Sequence, residues 1–292
     1  MKLINQRKSF MRRISLKISA VLVILITAGF GFVQYNHHII KPIGSSKSLP
    51  ATHLLTSASG RYWIINSHAL SKLLDDSSAK QTLQNDTIFI TGYNNKQPIN
   101  NSEGLHLIPT EGFTSEAILE HAIQTKSIKS GVKAILYDNE DWSLTPKQEQ
   151  ANPVSYYQKA SSIAKTAGYI FIGSPVSKID KQIDQQIASL VDVLDIQSQY
   201  DQKISSIYAA HVNPIAISAR SVNNKLVILA GLSTNPPAGI PTAQELLNDA
   251  TAVSHNVQGY WLNVPTPGIG CPKCNQQQPE IGIEFLKLLG SS

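Results

Sequence analysis

Residues 134 to 142 read AILYDNEDW. Four apolar residues are too few for a helix but suit a strand buried on both faces, as in a parallel sheet. Polar residues begin where the run stops. Outward from this segment the same pattern returns: YWIIN at 62–66, TIFIT at 87–91 and LHLI at 105–108 precede it. YIFIG at 169–173, VLDIQ at 193–197, LVILAG at 226–231 and GYWLN at 259–263 follow. That makes eight short apolar runs. Helical patterns of suitable length lie between the later ones, at 115–127, 153–167, 181–190, 204–220 and 242–254, with a last one at 280–289. Strand followed by helix, repeated to eight strands, predicts an α/β fold of the (β/α)8 barrel type over residues 55–292. Only strands two and three lack a predicted helix between them, because 92–103 (GYNNKQPINNSE) is made of turn-formers. An open doubly wound sheet is the alternative, but it would carry a Gly-rich phosphate loop after an early strand, and the sequence has none.

Ahead of the barrel the chain changes character. The full sequence has 292 residues, 42% hydrophobic and 15% charged, with a formal net charge of +5. Lys2, Arg7, Lys8, Arg12, Arg13 and Lys17 supply six positive charges before an uncharged stretch, ISAVLVILITAGFGFV, at 18–33. Cations followed by an apolar run are the arrangement of a signal peptide or signal anchor. Residues 1–17 read as a cytoplasmic tail and 18–35 as a membrane-spanning anchor, just long enough to cross. Residues 36–54, rich in Gly, Ser and Pro, read as a linker. If the segment is cleaved instead, the domain is secreted; either way it is expected outside the cytoplasm. With the basic charge confined to the tail, no nucleic-acid partner is expected.

The chemistry of a barrel gathers at the C-terminal ends of its strands. Asp138 and Glu140 lie two apart at the end of strand four, so alternation aims both toward the barrel mouth. Two carboxyls that close do not both ionise cheaply, and one keeps its proton near neutral pH. A glycosidic bond is cleaved by such a general acid. Asp141 could instead cap the next helix. Trp142 is an aromatic face on which a sugar ring could stack. The other strand ends offer amides and aromatics: Tyr93, Gln197, Gln199, Asn235, Trp261 and Asn263 are candidate substrate-binding residues. Nucleophile-elbow, P-loop and zinc-protease motifs are missing, and no metal or cofactor is implied. Cys271 and Cys274 form a C-x-x-C pair that could be a redox motif, half a zinc site or a local disulfide. Outside the cytoplasm the disulfide is favoured, as a staple for the loop after strand eight.

Asp138 and Glu140 at the end of strand four, with Trp261 in strand eight, resemble the chitinase-like glycoside hydrolases. That resemblance implies substrate-assisted cleavage of N-acetylhexosamine polymers. Glu140 would be the acid, Asp138 the carboxylate that orients the substrate acetamido group, and Trp261 the floor of a sugar subsite. The chain departs from the family in two places. Residues 131–136 are GVKAIL where a further Asp and Gly precede the motif, and the sixth-strand Tyr is matched at best by Gln197 or Gln199. The stretches VLDIQSQ, LAGLSTNPP and GYWLNVP also resemble those of secreted bacterial proteins. Two readings follow: an enzyme acting on a polysaccharide or cell-envelope glycan, and a catalytically silent barrel that binds such a glycan.

Overall fold

A computed structural model describes residues 55, 60–93, 99–176, 181–268, 271, 274 and 276–292. The tail, anchor and linker expected at 1–17, 18–35 and 36–54 lie outside the described residues. Among the described residues no helix is long and apolar enough to cross a membrane.

Eight parallel strands close on themselves in sequence order. They are β1 (Tyr62–Asn66), β2 (Thr87–Thr91), β3 (His106–Phe113), β4 (Ala134–Asn139), β5 (Ile170–Pro175), β6 (Val193–Ile196), β7 (Val227–Ser233) and β8 (Gly259–Asn263). The helices are α1 (Ser67–Leu73), α2 (Ser77–Leu83), α3 (Glu116–Gln124), α4 (Lys147–Ala151), α5 (Pro153–Thr166), α6 (Lys181–Ala188), α7 (Ser205–Val222), α8 (Ala243–Val253) and α9 (Pro279–Ser291). This is the (β/α)8 barrel that the sequence predicts.

Alternation along each strand sorts the core into two layers. One set faces the lumen and fills it: Tyr62, Ile64, Phe89, Leu136, Ile172 and Leu229 are all buried there. The other set, including Trp63, Ile135, Tyr137, Phe171, Ile228 and Tyr260, faces the helices. Each of these large side chains contributes about 1.5–3 kcal/mol by leaving water. The seam that closes the barrel pairs Tyr62 with Gly259, Trp63 with Tyr260 and Ile64 with Trp261. A Cβ at position 259 would stand 1.7 Å from the Tyr62 carbonyl oxygen, so only glycine lets β1 and β8 meet there.

The structure departs from the sequence reading at the edges of elements. β3 runs to Phe113 rather than ending at residue 108. Its lower half pairs with β2 as far as Pro109, and its upper half, from Thr110, pairs with β4. Above Pro109 the strand is bonded on one side only, which is why polar residues are tolerated and the apolar run breaks off early. α1, α2 and α4 were not apparent from periodicity because each is five to seven residues long. The starts of α1 and α2 rest on local chemistry: Asn66 Oδ1 accepts from His68 N, and Asp76 Oδ1 accepts from Ser78 N and Ala79 N.

α4 matters because it carries the loop that follows β4. Its buried Glu149 accepts hydrogen bonds from Ser115 Oγ (2.8 Å), Glu116 N (2.9 Å) and Tyr137 Oη (2.5 Å). Asn139 Nδ2 donates to Tyr137 Oη and to the Glu149 carbonyl. One carboxylate thus ties the start of α3, the outer face of β4 and α4 together, holding the top of β4 from behind. Burial, with the Glu149 bond next, pushes the Tyr137 hydroxyl far above its ordinary range.

Glu149→Ala strands three buried donors, and the expected loss is on the order of 3 kcal/mol in urea unfolding. Leu229→Ala in the lumen is expected to cost about 2–5 kcal/mol by the same measurement.

Candidate active site

β4 puts Leu136 in the lumen, and the two residues of the same parity above it are Asp138 and Glu140. Both are half-buried and reach the mouth of the barrel. β6 brings a third carboxyl: Val193 faces the lumen, and Asp195 and Gln197 continue on its side. Ser174 arrives in the same way from β5. Here the strand tips run past their apolar stretches as polar, lumen-facing residues.

Gln197 joins these groups. Its Nε2 lies 3.0 Å from Glu140 Oε1, 3.2 Å from Asp138 Oδ1 and 3.0 Å from Ser174 Oγ. Ser174 Oγ in turn donates to Asp195 Oδ2 at 2.8 Å. Asp138 and Glu140 are also hydrogen-bonded to each other.

Such a cluster resists ionisation. Burial raises the Asp138 carboxyl well above the usual range, and the charges of Glu140 and Asp195 add to the effect against the Gln197 amide. Burial also raises Glu140, opposed by its hydrogen bonds from Gln197 and Asp138. Asp195 is pushed up to about 7 by burial, with the Ser174 hydroxyl opposing. Burial thus favours the protonated form of both Asp138 and Glu140, and their mutual hydrogen bond raises Asp138 while it lowers Glu140.

Clefts open on both sides of the pair. One, of about 480 Å3, brings Glu140 and Gln197 together with Gln199, Asn235, Asn263 and Cys271. A second of about 480 Å3 continues from Glu140, Gln197 and Tyr200 toward Lys147 and Gln150 on α4. Tyr200 borders both and is 63% exposed, an aromatic face at the centre of the groove. A third cleft, of about 340 Å3, lies where β3 parts from β2 and brings Asp138 and Trp261 together with Thr91, Thr110 and Gly112. Gly231 keeps the first cleft in shape. A Cβ there would come within 2.5 Å of Gln199 Nε2, so the glycine makes room for that amide.

Of the residues singled out in the sequence, Asp138, Glu140, Gln197, Gln199, Asn235, Trp261 and Asn263 converge on this mouth. Tyr93 and Trp142 do not line these clefts. Tyr93 packs against the helix-side core at the end of β2. Trp142 is turned into its own loop, with its indole N–H donating to Thr145 Oγ1 at 2.9 Å and its carbonyl accepting from Gln150. Cys271 and Cys274 are disulfide-bonded, with Cys271 at the groove wall. Among the described residues no cluster of His, Cys, Asp or Glu could hold a metal ion.

Sequence reading missed Asp195 and Ser174 as parts of the site. Asp195 had a legible signal, an acid inside a buried strand two residues before Gln197. Ser174 had none, being a serine one step past an apolar run.

No family model and no curated protein matches the chain. Solved structures of similar shape include a class V chitinase from Pseudomonas fluorescens Pf-5, with 11% identity over 80% of this chain and 100% of that one and a TM-score of 0.47. The spore cortex-lytic enzyme SleL of Bacillus megaterium QM B1551 is 9% identical over 80% and 73% of the two chains, with a TM-score of 0.45. A sugar phosphate isomerase/epimerase from Parabacteroides distasonis is 11% identical over 81% and 98%, with a TM-score of 0.42. The likeness takes in hydrolases and an isomerase alike, and at these values it assigns no reaction.

Proposed function

We propose that this barrel is a glycoside hydrolase that cleaves a polysaccharide, with Glu140 as general acid and Asp138 as its partner. The observation that carries the reading is the half-buried Asp138–Glu140 pair, bridged by Gln197 Nε2 at the meeting point of three clefts lined by amides, hydroxyls and two aromatic faces. Near neutral pH ordinary carboxyls have lost their protons; burial raises both members of this pair, which is the direction a proton donor requires.

In this reading the polymer lies along the groove bordered by Tyr200, with one sugar against Trp261 in the Asp138 cleft. The proton passes from Asp138 to Glu140 across their hydrogen bond. Glu140 then gives it to the glycosidic oxygen as the bond to the anomeric carbon breaks, its electron pair stays on that oxygen, and the acetamido carbonyl oxygen of the same sugar bonds to the anomeric carbon; water then replaces that oxygen at the carbon and gives its proton back to Glu140. Asp138, now ionised, accepts a hydrogen bond from a substrate N–H, the role an acetamido group would fill. Gln197 stabilises the negative charge left on the pair by donating to both carboxylates.

The setting proposed is outside the cytoplasm, with the domain tethered to the membrane through residues 18–35. The Cys271–Cys274 disulfide supports it, since such bonds persist in oxidising compartments.

A second reading, a silent barrel that binds glycan, is favoured by two features. Glutamines occupy the sixth-strand positions where the chitinase-like family has a tyrosine, and residues 131–136 lack its additional acid.

Hydrolysis of chitin, peptidoglycan and galactosaminogalactan-type polymers, measured for wild type and Glu140→Gln, separates the two. The expected loss in kcat for Glu140→Gln is about 100-fold or more; equal turnover by both proteins overturns the assignment, and binding without turnover establishes the second reading. Activity is expected to persist into neutral pH and to fall as pH rises through the raised carboxyl pKa, because the donor proton is lost there. Tyr200→Ala and Trp261→Ala are each expected to weaken polymer binding about tenfold in calorimetry.

A further inference from the structure

Asp195 touches neither the groove nor the side cleft, yet it is fully buried on the lumen side of β6 beside the reacting pair. Its Oδ2 accepts the Ser174 hydroxyl, and its Oδ1 accepts no hydrogen bond among the described residues. None of the ion pairs among the described residues reaches it. A buried carboxyl with one oxygen unpartnered is costly, and helix-side packing does not require it.

The chain of hydrogen bonds gives it a role. A hydroxyl has one hydrogen. Because Ser174 spends its hydrogen on Asp195, its oxygen is left as an acceptor toward Gln197. An amide facing an acceptor must present its NH2 group, which has two hydrogens for the three acceptors Ser174, Glu140 and Asp138. Asp195, as the terminal acceptor, therefore fixes the direction of every bond in the chain: Gln197 donates to Ser174, and Ser174 donates to Asp195. With Ser174 free to donate, the amide could turn over and aim its carbonyl at the carboxyls, which would favour protonating both.

We propose that Asp195 is a positioning residue for the acid pair: through Ser174 it locks Gln197 with its NH2 group toward Asp138 and Glu140, and its carboxyl lies beside theirs in the lumen. This rests on the reading of Asp138 and Glu140 as the reacting groups. Other groups that face Asp195 are few. Tyr157 on α5 and Tyr208 on α7 feel its charge through the barrel wall. Asp184 on α6 and His211 on α7 share a small cavity with it behind β6, where His211 Nδ1 is held 2.5 Å from Asp201 Oδ2. The nearest carboxyls in the lumen are those of the pair itself, and Asp195 raises Asp138 while Glu140 raises Asp195.

The test is a pH titration of full-length protein carrying 13C-labelled Asp and Glu carboxyls, followed by NMR, for wild type, Asp195→Asn, Ser174→Ala and Ser174→Thr. An Asn at 195 still accepts from Ser174 but has no charge, so the upper titration step of the pair is expected to move down by about one pH unit. Ser174→Ala frees the amide and is expected to move the same step upward, while Ser174→Thr, which keeps the hydroxyl, restores the wild-type value. An upper step that stays in place in both Asp195→Asn and Ser174→Ala, with thermal unfolding showing both folded, overturns the proposal. If Asp195→Asn does not fold, the Ser174 pair decides alone. The titration needs no turnover: absence of hydrolysis on every glycan would overturn the proposed function, whereas an unmoved titration overturns only this role of Asp195.

Discussion

Closure of eight parallel strands is the constraint on which everything else in this molecule depends. Once β1 and β8 meet at the Tyr62–Gly259 contact, each strand has an inside and an outside, and alternation assigns every residue to one of them. The lower lumen fills with Phe89, Leu136, Ile172 and Leu229 and excludes water. Continuing the same alternation upward leaves no freedom for the next residues. Asp138, Ser174 and Asp195 must point into the top of that dry cavity.

Gathering the carboxyls of Asp138, Glu140 and Asp195 at that end works against stability. Desolvation and mutual repulsion oppose their ionisation, and it is the rigidity of the barrel beneath that keeps them together. The hydrogen bonds are arranged to match. The one amide among the acids, Gln197, donates to both members of the pair, and the hydroxyl of Ser174 faces Asp195. Behind β4, the buried Glu149 plays a different part, since its three donors tie down the loop and not the chemistry. Two buried carboxyl systems on opposite faces of one strand thus serve separate ends.

Stagger between strands shapes access. β3 leaves β2 at Pro109 and joins β4 from Thr110, and the gap so formed is the side cleft against Asp138 and Trp261. The groove on the Glu140 side is walled by the loops after β6, β7 and β8. Those loops are stitched together: Gln202 bonds both the N–H and the carbonyl of Ser233, and Lys203 N donates to the buried Asp249. Tyr200 therefore projects from a braced turn.

The period-two runs and their acids were readable because strand alternation is a local property. AILYDNEDW by itself assigns Asp138 and Glu140 to one side, and eight such runs imply closure. Short helices escaped notice because a single turn or two has no measurable period, and the full length of β3 did so because its upper half is paired on one side only. Where the Trp142 ring sits was not legible from its place after Glu140: Thr145, three residues on, takes its N–H. What the chain alone determined was which residues face the lumen. Which of them touch was decided by the tertiary structure: Gln197 meets Asp138 across 59 residues and Ser174 across 23, distances in sequence that only the curvature and stagger of a closed barrel turn into hydrogen bonds.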